Sequence, residues 1–275
     1  MNRSRLHSRL FCAPGALWIA VFLVAPLLCV VAVSFFSTGS YGEIEQPLTG
    51  EHYVRFGGFG TSGWDPLYPM IMARSVFLAA TSTALCLLLA LPMAFFISSL
   101  PARWKSAALT LVTIPLWTNL LIRTYAWQIL LSSTPFYPGT VAVFVGLVCD
   151  YLPFLVLPIY ASVEKIDWTL AEAAQDLGAA RWNTFRHAIW PQIRPGVIAG
   201  IILVFVPATG QFVIPDLLGG AKTVLLGNVI QQQFGPSQNW PFGSALATIA
   251  MLLVLMGLWV YARSAKNGEQ EAKLL

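Results

Sequence analysis

The sequence predicts an all-α membrane protein of six transmembrane helices with both termini on the inner side. Three observations lead there. The 275 residues are 57% hydrophobic and only 10% charged, where soluble domains carry roughly 25% charged residues. Six apolar runs, at about 13–36, 74–100, 106–132, 140–163, 196–215 and 243–262, each reach the roughly 20 residues that cross about 30 Å of hydrocarbon. Lys and Arg, finally, are shared unevenly between the segments that join those runs.

The first run follows Arg3, Arg5 and Arg9. A signal peptide would carry similar charges, but its apolar core would be roughly 7–15 residues long and end at a small-x-small cleavage site. This run is longer and has no such site, so it reads as a first span. With the N-terminus inside, the inner segments hold Arg3, Arg5, Arg9, Arg103, Lys105, Lys165, Arg181, Arg186, Arg194, Arg263, Lys266 and Lys273. The outer ones hold only Arg55, Arg74 and Lys222, and Arg123 falls within a span. Twelve against three fixes the orientation. It also turns the net charge of +4 into a topological feature, so no nucleic-acid partner is expected.

Residues 37–72 form a polar segment rich in Gly and aromatics. Pro92, Pro115, Pro153, Pro158 and Pro207, with Gly210, fall inside later spans. Such residues either shape a path or are accommodated by packing on neighbouring helices. Cys12, Cys29, Cys86 and Cys149 lie in or beside apolar runs without CxxC spacing and behave as small hydrophobes. Three scattered histidines make no metal motif.

A second long polar stretch between two apolar runs, and the more highly charged, is 164–195, EKIDWTLAEAAQDLGAARWNTFRHAIWPQIRP. Asp167 can cap a helix whose apolar stripe is Leu170, Ala173, Ala174 and Leu177. Gly178 stands where a left-handed residue ends helices. A second amphipathic stretch follows through Trp182, Phe185, Ile189 and Trp190, and Pro191 and Pro195 are expected to close it. Two short helices between spans, with small residues outward, suit a groove on another protein. The plainer alternative makes Thr169 and Glu172 a capping box that only ties off a helix start.

Glu172-Ala173-Ala174, then Gly178, then Pro191 thirteen residues on, resemble the EAA loop of ABC importer permeases, with Ala188 and Trp190 as departures. The resemblance implies that 164–195 is a cytoplasmic coupling loop docking into a separate ATPase. Asp167, Leu170, Glu172, Ala173, Ala174, Asp176, Leu177, Gly178 and Pro191 would form its coupling surface. Further segments are similar to the permease subunits of spermidine/putrescine importers. They are Arg123-Thr124-Tyr125-Ala126-Trp127, Tyr151-Leu152-Pro153-Phe154, Pro215-Asp216-Leu217-Leu218-Gly219-Gly220, Gly227-Asn228-Val229-Ile230 and Trp240-Pro241-Phe242-Gly243. That likeness implies ATP-driven import of a small cation. It also implies a second homologous permease, ATP-binding cassette subunits that hold the ATP and Mg, and an external solute-binding protein. No cofactor is expected on this chain. Gly219-Gly220-Ala221-Lys222-Thr223 does not match the phosphate-binding G-x-x-x-x-G-K-[ST] loop.

A polycation is held by carboxylates and by aromatic faces, worth roughly 0.5–2 kcal/mol each through cation–π contact. Candidates on the outer half of the membrane are Asp150, Asp216, Tyr125, Trp127, Tyr151 and Trp240. Asp150 alone is clearly intramembrane, which by default marks function and calls for a partner. Arg123 supplies one. If 106–132 and 140–163 are straight antiparallel spans, both residues lie about 13–16 Å deep at 1.5 Å per residue. The pair either neutralises two buried charges or hands Asp150 to the substrate, and the aromatic residues serve equally as interfacial belts. Rival readings are an ATP-independent transporter or channel, for which no inverted repeat is evident, a permease for another small solute, and a membrane enzyme, for which no catalytic constellation is visible.

Overall fold

A computed structural model describes residues 14–15, 17–39, 44–60, 63–220 and 223–272, with side chains up to 259 apart from residues 60 and 63. Arg3, Arg5, Arg9, Cys12, Ala13, Ala221, Lys222 and Lys273 lie outside the described residues, as do the side chains of Tyr261, Arg263 and Lys266. The chain is mostly helical and divides into two compact units. One combines the residues up to Met70 with those from Val229 onward, and the other runs from Ile71 to Asn228.

In the first unit, helix α1 (Leu17–Val33) is followed by two short antiparallel hairpins and a helix. These are β1 (Phe36–Thr38) with β2 (Ile44–Leu48), α2 (Glu51–Phe56), and β3 (Phe59–Gly60) with β4 (Gly63–Trp64). The polar segment 37–72 is therefore built, and the purely helical expectation needs these strand pairs added. Side chains tie the segment down. His52 Nε2 meets the Phe36 carbonyl at 2.9 Å, Thr38 Oγ1 donates to Asn239 Oδ1 at 2.9 Å, and Ser34 and Tyr53 share a 2.7 Å hydroxyl contact. The last helix of the chain, α11 (Trp240–Ala272), packs on α1. It buries Phe242 completely, with the Arg55 guanidinium 4.5 Å above that ring.

The second unit takes up most of α3 (Leu67–Ser99) and then α4 (Ala102–Trp117), α5 (Leu120–Leu131), α6 (Thr140–Val163), α7 (Trp168–Asp176), α8 (Arg181–Gly210) and α9 (Val213–Gly219). The helix α10 (Leu226–Phe234) begins in this unit. Its centre is α6, against which α4, α5, α8 and α9 all pack. Leu147, Leu155, Ile159 and Val163 of α6 are fully enclosed with Ile193 and Val204 of α8 and Ile214 and Leu218 of α9. The α6–α8 contact is close because Gly196 and Gly200 leave room. A Cβ on Gly196 would fall 2.4 Å from the Pro158 carbonyl, and one on Gly200 3.3 Å from Leu155 Cα. Small residues four apart let helix backbones approach where lipid tails give no hydrophobic drive.

Three expected elements change form. The run 106–132 is not one straight helix: α4 and α5 meet at 95° across Thr118 and Asn119. Pro115 weakens the last turn of α4. Thr118 then caps it from an extended conformation, with N and Oγ1 donating to the Pro115 carbonyl at 3.3 and 2.8 Å. Asn119 starts α5 by accepting from Leu121 N at 2.8 Å. Pro191 and Pro195 do not end a helix, since α8 runs through both to Gly210. A π turn over Phe185–Ile189 lies just before Pro191, placing the widened turn where the N–H is missing. Span boundaries move as well. The helix expected from 74 starts at Leu67, the one expected from 243 starts at Trp240, and 196–215 splits into the end of α8 and the separate α9. Among the described residues, four helices are long and apolar enough to cross a bilayer, or five if the bent pair counts as one.

Candidate functional site

The hairpin of α7 and the start of α8 is held together by backbone chemistry at both ends. Asp167 caps α7, accepting from Thr169 N at 3.0 Å and Thr169 Oγ1 at 2.6 Å. With Asp167 as the cap, the Thr169–Glu172 capping box does not form. Gly178 has φ +84°, and it closes α7 with two bonds: Ala179 N to Ala174 O at 3.0 Å and Gly178 N to Gln175 O at 2.8 Å. This is the Schellman arrangement, which satisfies carbonyls left free at a helix end. Asp167 N also donates to Gln192 Oε1 at 2.9 Å, fastening the start of α7 to α8.

What the hairpin turns outward decides its use. Ala171, outside the expected stripe, is the buried residue of α7. Within the stripe, Leu170 is 53% and Leu177 90% exposed, Ala173 is exposed and Ala174 half-buried. Glu172 and Asp176 are exposed on the same short helix, and Pro191 is exposed on α8. These apolar side chains thus stand open to the surroundings on a well-terminated helix.

The second cluster lies around α6. Asp150 is 3% exposed, and its Oδ1 faces Arg123 Nε in an ion pair. The contact is one of charge, for Nε–H has no aligned acceptor. Arg123 Nη1 donates to the Pro115 carbonyl, so one guanidinium links the end of α4 to the carboxylate on α6. The pair forms although the straight third span behind the depth argument does not exist: the bend swings α5 across α6. Tyr151 is buried, its hydroxyl accepting from Gln211 Nε2 at 3.2 Å. Trp127 is half-buried against the core and Tyr125 is 50% exposed on α5. Asp216 is exposed on α9, which packs against both α5 and α6. Trp240 belongs to the first unit, where its ring stands edge-on to Phe234 at 6.0 Å.

One ion pair escaped the sequence reading. Lys105 Nζ, at the start of α4, donates to both Glu164 oxygens at 2.9 and 3.1 Å, just past the end of α6. That donation, with a further hydrogen bond from the Tyr160 hydroxyl, holds the Glu164 carboxyl below the usual glutamate range. Both residues stood in segments assigned to the same side of the membrane, which was the available signal.

Several apolar helices of spanning length, an intramembrane ion pair and an exposed helical hairpin leading into a span together describe a multi-pass membrane component of the transporter kind. The chain belongs to the family of binding-protein-dependent transport system inner membrane components, whose pattern matches residues 86–266. It is 38% identical to the spermidine/putrescine transport system permease protein PotB of Haemophilus influenzae, over 94% of this chain and 93% of that one. To the PotB protein of Escherichia coli it is 39% identical, over 90% of this chain and 94% of the other. Among solved structures, a bacterial ABC transporter that imports the acidic polysaccharide alginate aligns with TM-score 0.59 at 19% identity, over 94% and 95% of the two chains. An alginate ABC transporter in complex with a pentasaccharide-bound periplasmic protein gives TM-score 0.62 at 16% identity, over 91% of each. At such identities these two establish the shared fold.

Proposed function

We propose that this chain is a permease subunit of an ABC importer that carries a polyamine, spermidine or putrescine, into the cytoplasm with ATP hydrolysed by partner subunits. The observation that carries it is the outward-facing stripe of α7, on a chain 38–39% identical along almost its whole length to two permeases named for spermidine/putrescine transport. The six spans are α1, α3, the bent pair α4–α5, α6, α8 and α11, with both termini inside. Seventeen residues of α1 extend about 25 Å at 1.5 Å per residue, close to the hydrocarbon thickness.

In this topology the hairpin 164–195 faces the cytoplasm. An ATP-binding cassette subunit, carrying ATP and Mg, receives Leu170, Ala173, Ala174 and Leu177 in a groove. Glu172 and Asp176 meet basic side chains at its rim, while Asp167, Gly178 and Pro191 hold the hairpin's shape. A second homologous permease completes the pathway and a solute-binding protein delivers cargo from outside. ATP draws the two ATPase subunits together and moves the docked hairpins. That biases the permease pair toward its outward-open arrangement.

On the path, Asp150 is the carboxylate a polyamine ammonium can share with Arg123. Tyr125, Trp127 and Tyr151 offer aromatic faces nearby on α5 and α6, and Asp216 serves cation entry from the outer side; Trp240, in the first unit, is a separate candidate contact. The test is uptake into proteoliposomes holding both permeases, the ATPase and the binding protein. Labelled spermidine or putrescine is expected to accumulate only with ATP and the ATPase present. Accumulation without the ATPase contradicts the importer reading, and ATP-driven uptake of an unrelated solute alone contradicts the polyamine.

A further inference from the structure

The π turn in α8 builds a pocket lined by none of the residues assigned above to ATPase coupling. Its signature is the Trp190 N–H bonded to the Phe185 carbonyl, five residues back. In an α-helix, residues five apart point about 140° away from each other; here Phe185 and Trp190 come into ring contact, with centroids 6.3 Å apart. Trp182 also stacks on Phe185, with ring centroids 5.8 Å apart. Together with Arg186 the three rings line an apolar pocket of about 300 Å³. A π turn inside an α-helix often marks a functional site.

The surrounding charge is of one sign. Arg181, Arg186 and Arg194 are all exposed, and among the described residues none has an acidic partner. The sequence has no Asp or Glu between Asp176 and Asp216. An apolar slot rimmed by unpaired guanidinium groups fits an amphiphile with an acyl chain and an anionic head. It lies where α8 passes from the exposed hairpin into its apolar length, the level at which Trp and Arg meet headgroups. We propose that Trp182, Phe185 and Trp190, with Arg186 at their rim, bind an anionic phospholipid of the inner leaflet. The chain seats between the rings and the phosphate meets Arg186. Bound there, the lipid braces the joint through which the hairpin moves its span. This rests on the cytoplasmic placement of the hairpin proposed above.

The test uses the assembled complex in nanodiscs and reads tryptophan quenching by brominated phosphatidylglycerol against brominated phosphatidylcholine. Stronger quenching by the anionic lipid is expected, and that excess should vanish when Trp182→Leu and Trp190→Leu are combined. Arg186→Gln should weaken the apparent affinity for phosphatidylglycerol about five-fold, the share of one basic residue at an anionic surface, while Arg186→Lys keeps most of it. Equal quenching by both lipids, or no change in Arg186→Gln, overturns the site. So does an excess seen with the permease pair alone but absent from the assembled complex, which would make the pocket a protein contact. Side-specific labelling of Asn183→Cys separates the two readings. Labelling from outside overturns the topology, whereas labelling from inside with lipid-blind quenching overturns only the lipid site.

Discussion

Asp150 and Arg123 are each other's main charge partner in a nearly dry place, so removing one leaves the other exposed to the full desolvation penalty. Asp150→Asn is expected to lower the stability of the complex by on the order of 3 kcal/mol, read as a thermal shift of the assembled permease. A double variant, Asp150→Asn with Arg123→Gln, removes the stranded charge and should regain most of that loss. Polyamine uptake should remain lost in both. Full uptake by the double variant would leave the pair a neutralising device with no part in transport. The Lys105–Glu164 bridge acts at the surface and is governed by pH. Because the Glu164 pKa is lowered in the folded chain, its contribution is present at neutral pH and fades as pH falls through that lowered value. Lys105→Met should therefore narrow the difference in thermal midpoint between neutral and acid conditions. An unchanged pH dependence would show that the bridge carries no linkage.

At the scale of elements, Gly178 and the α7 stripe make separable predictions. Gly178 has open space around its Cα but a positive φ, so Gly178→Ala meets only backbone strain, about 1–2 kcal/mol. Faster hydrogen exchange is expected across 174–181 while the α6–α8 core stays protected; protection unchanged along the hairpin would contradict the Schellman account. Leu177→Ser alters a side chain already 90% exposed and should shift stability by less than about 0.5 kcal/mol. ATPase retained on purification should nonetheless fall by more than about ten-fold if Leu177 is a buried anchor in the complex. These details of α7 were legible because they are local: Asp167 at the cap and Gly178 at the stop depend only on neighbours in the chain. The bend at Thr118 was written in the same alphabet, Pro115 before a Thr-Asn pair. An unbroken apolar run concealed it, since hydropathy registers composition and not direction. The passage of α8 through Pro191 was hidden for another reason: the π turn over Phe185–Ile189 already widens the helix where that proline lacks an N–H.

For the whole molecule, composition and the Lys/Arg imbalance were enough to place the chain in a membrane, and the family match agrees with that. The convergence of Asp150, Arg123 and the Pro115 carbonyl was only half legible. Charge inside an apolar run demands a partner and the sequence offered Arg123, but the bend that brings in the Pro115 carbonyl, and the close α6–α8 packing at Gly196 and Gly200, were passed over. In the function proposed above, partner ATPases supply the energy for uphill transport, and it enters through the α7 stripe. The most direct measurement is site-specific cross-linking of Leu177→Cys in the complex within oriented membranes. Cross-links to the ATPase subunit, formed from the inner side and changing in yield with ATP, are the predicted result. A Leu177→Cys reached from the outer side, or never cross-linked to an ATPase while uptake proceeds, would contradict it.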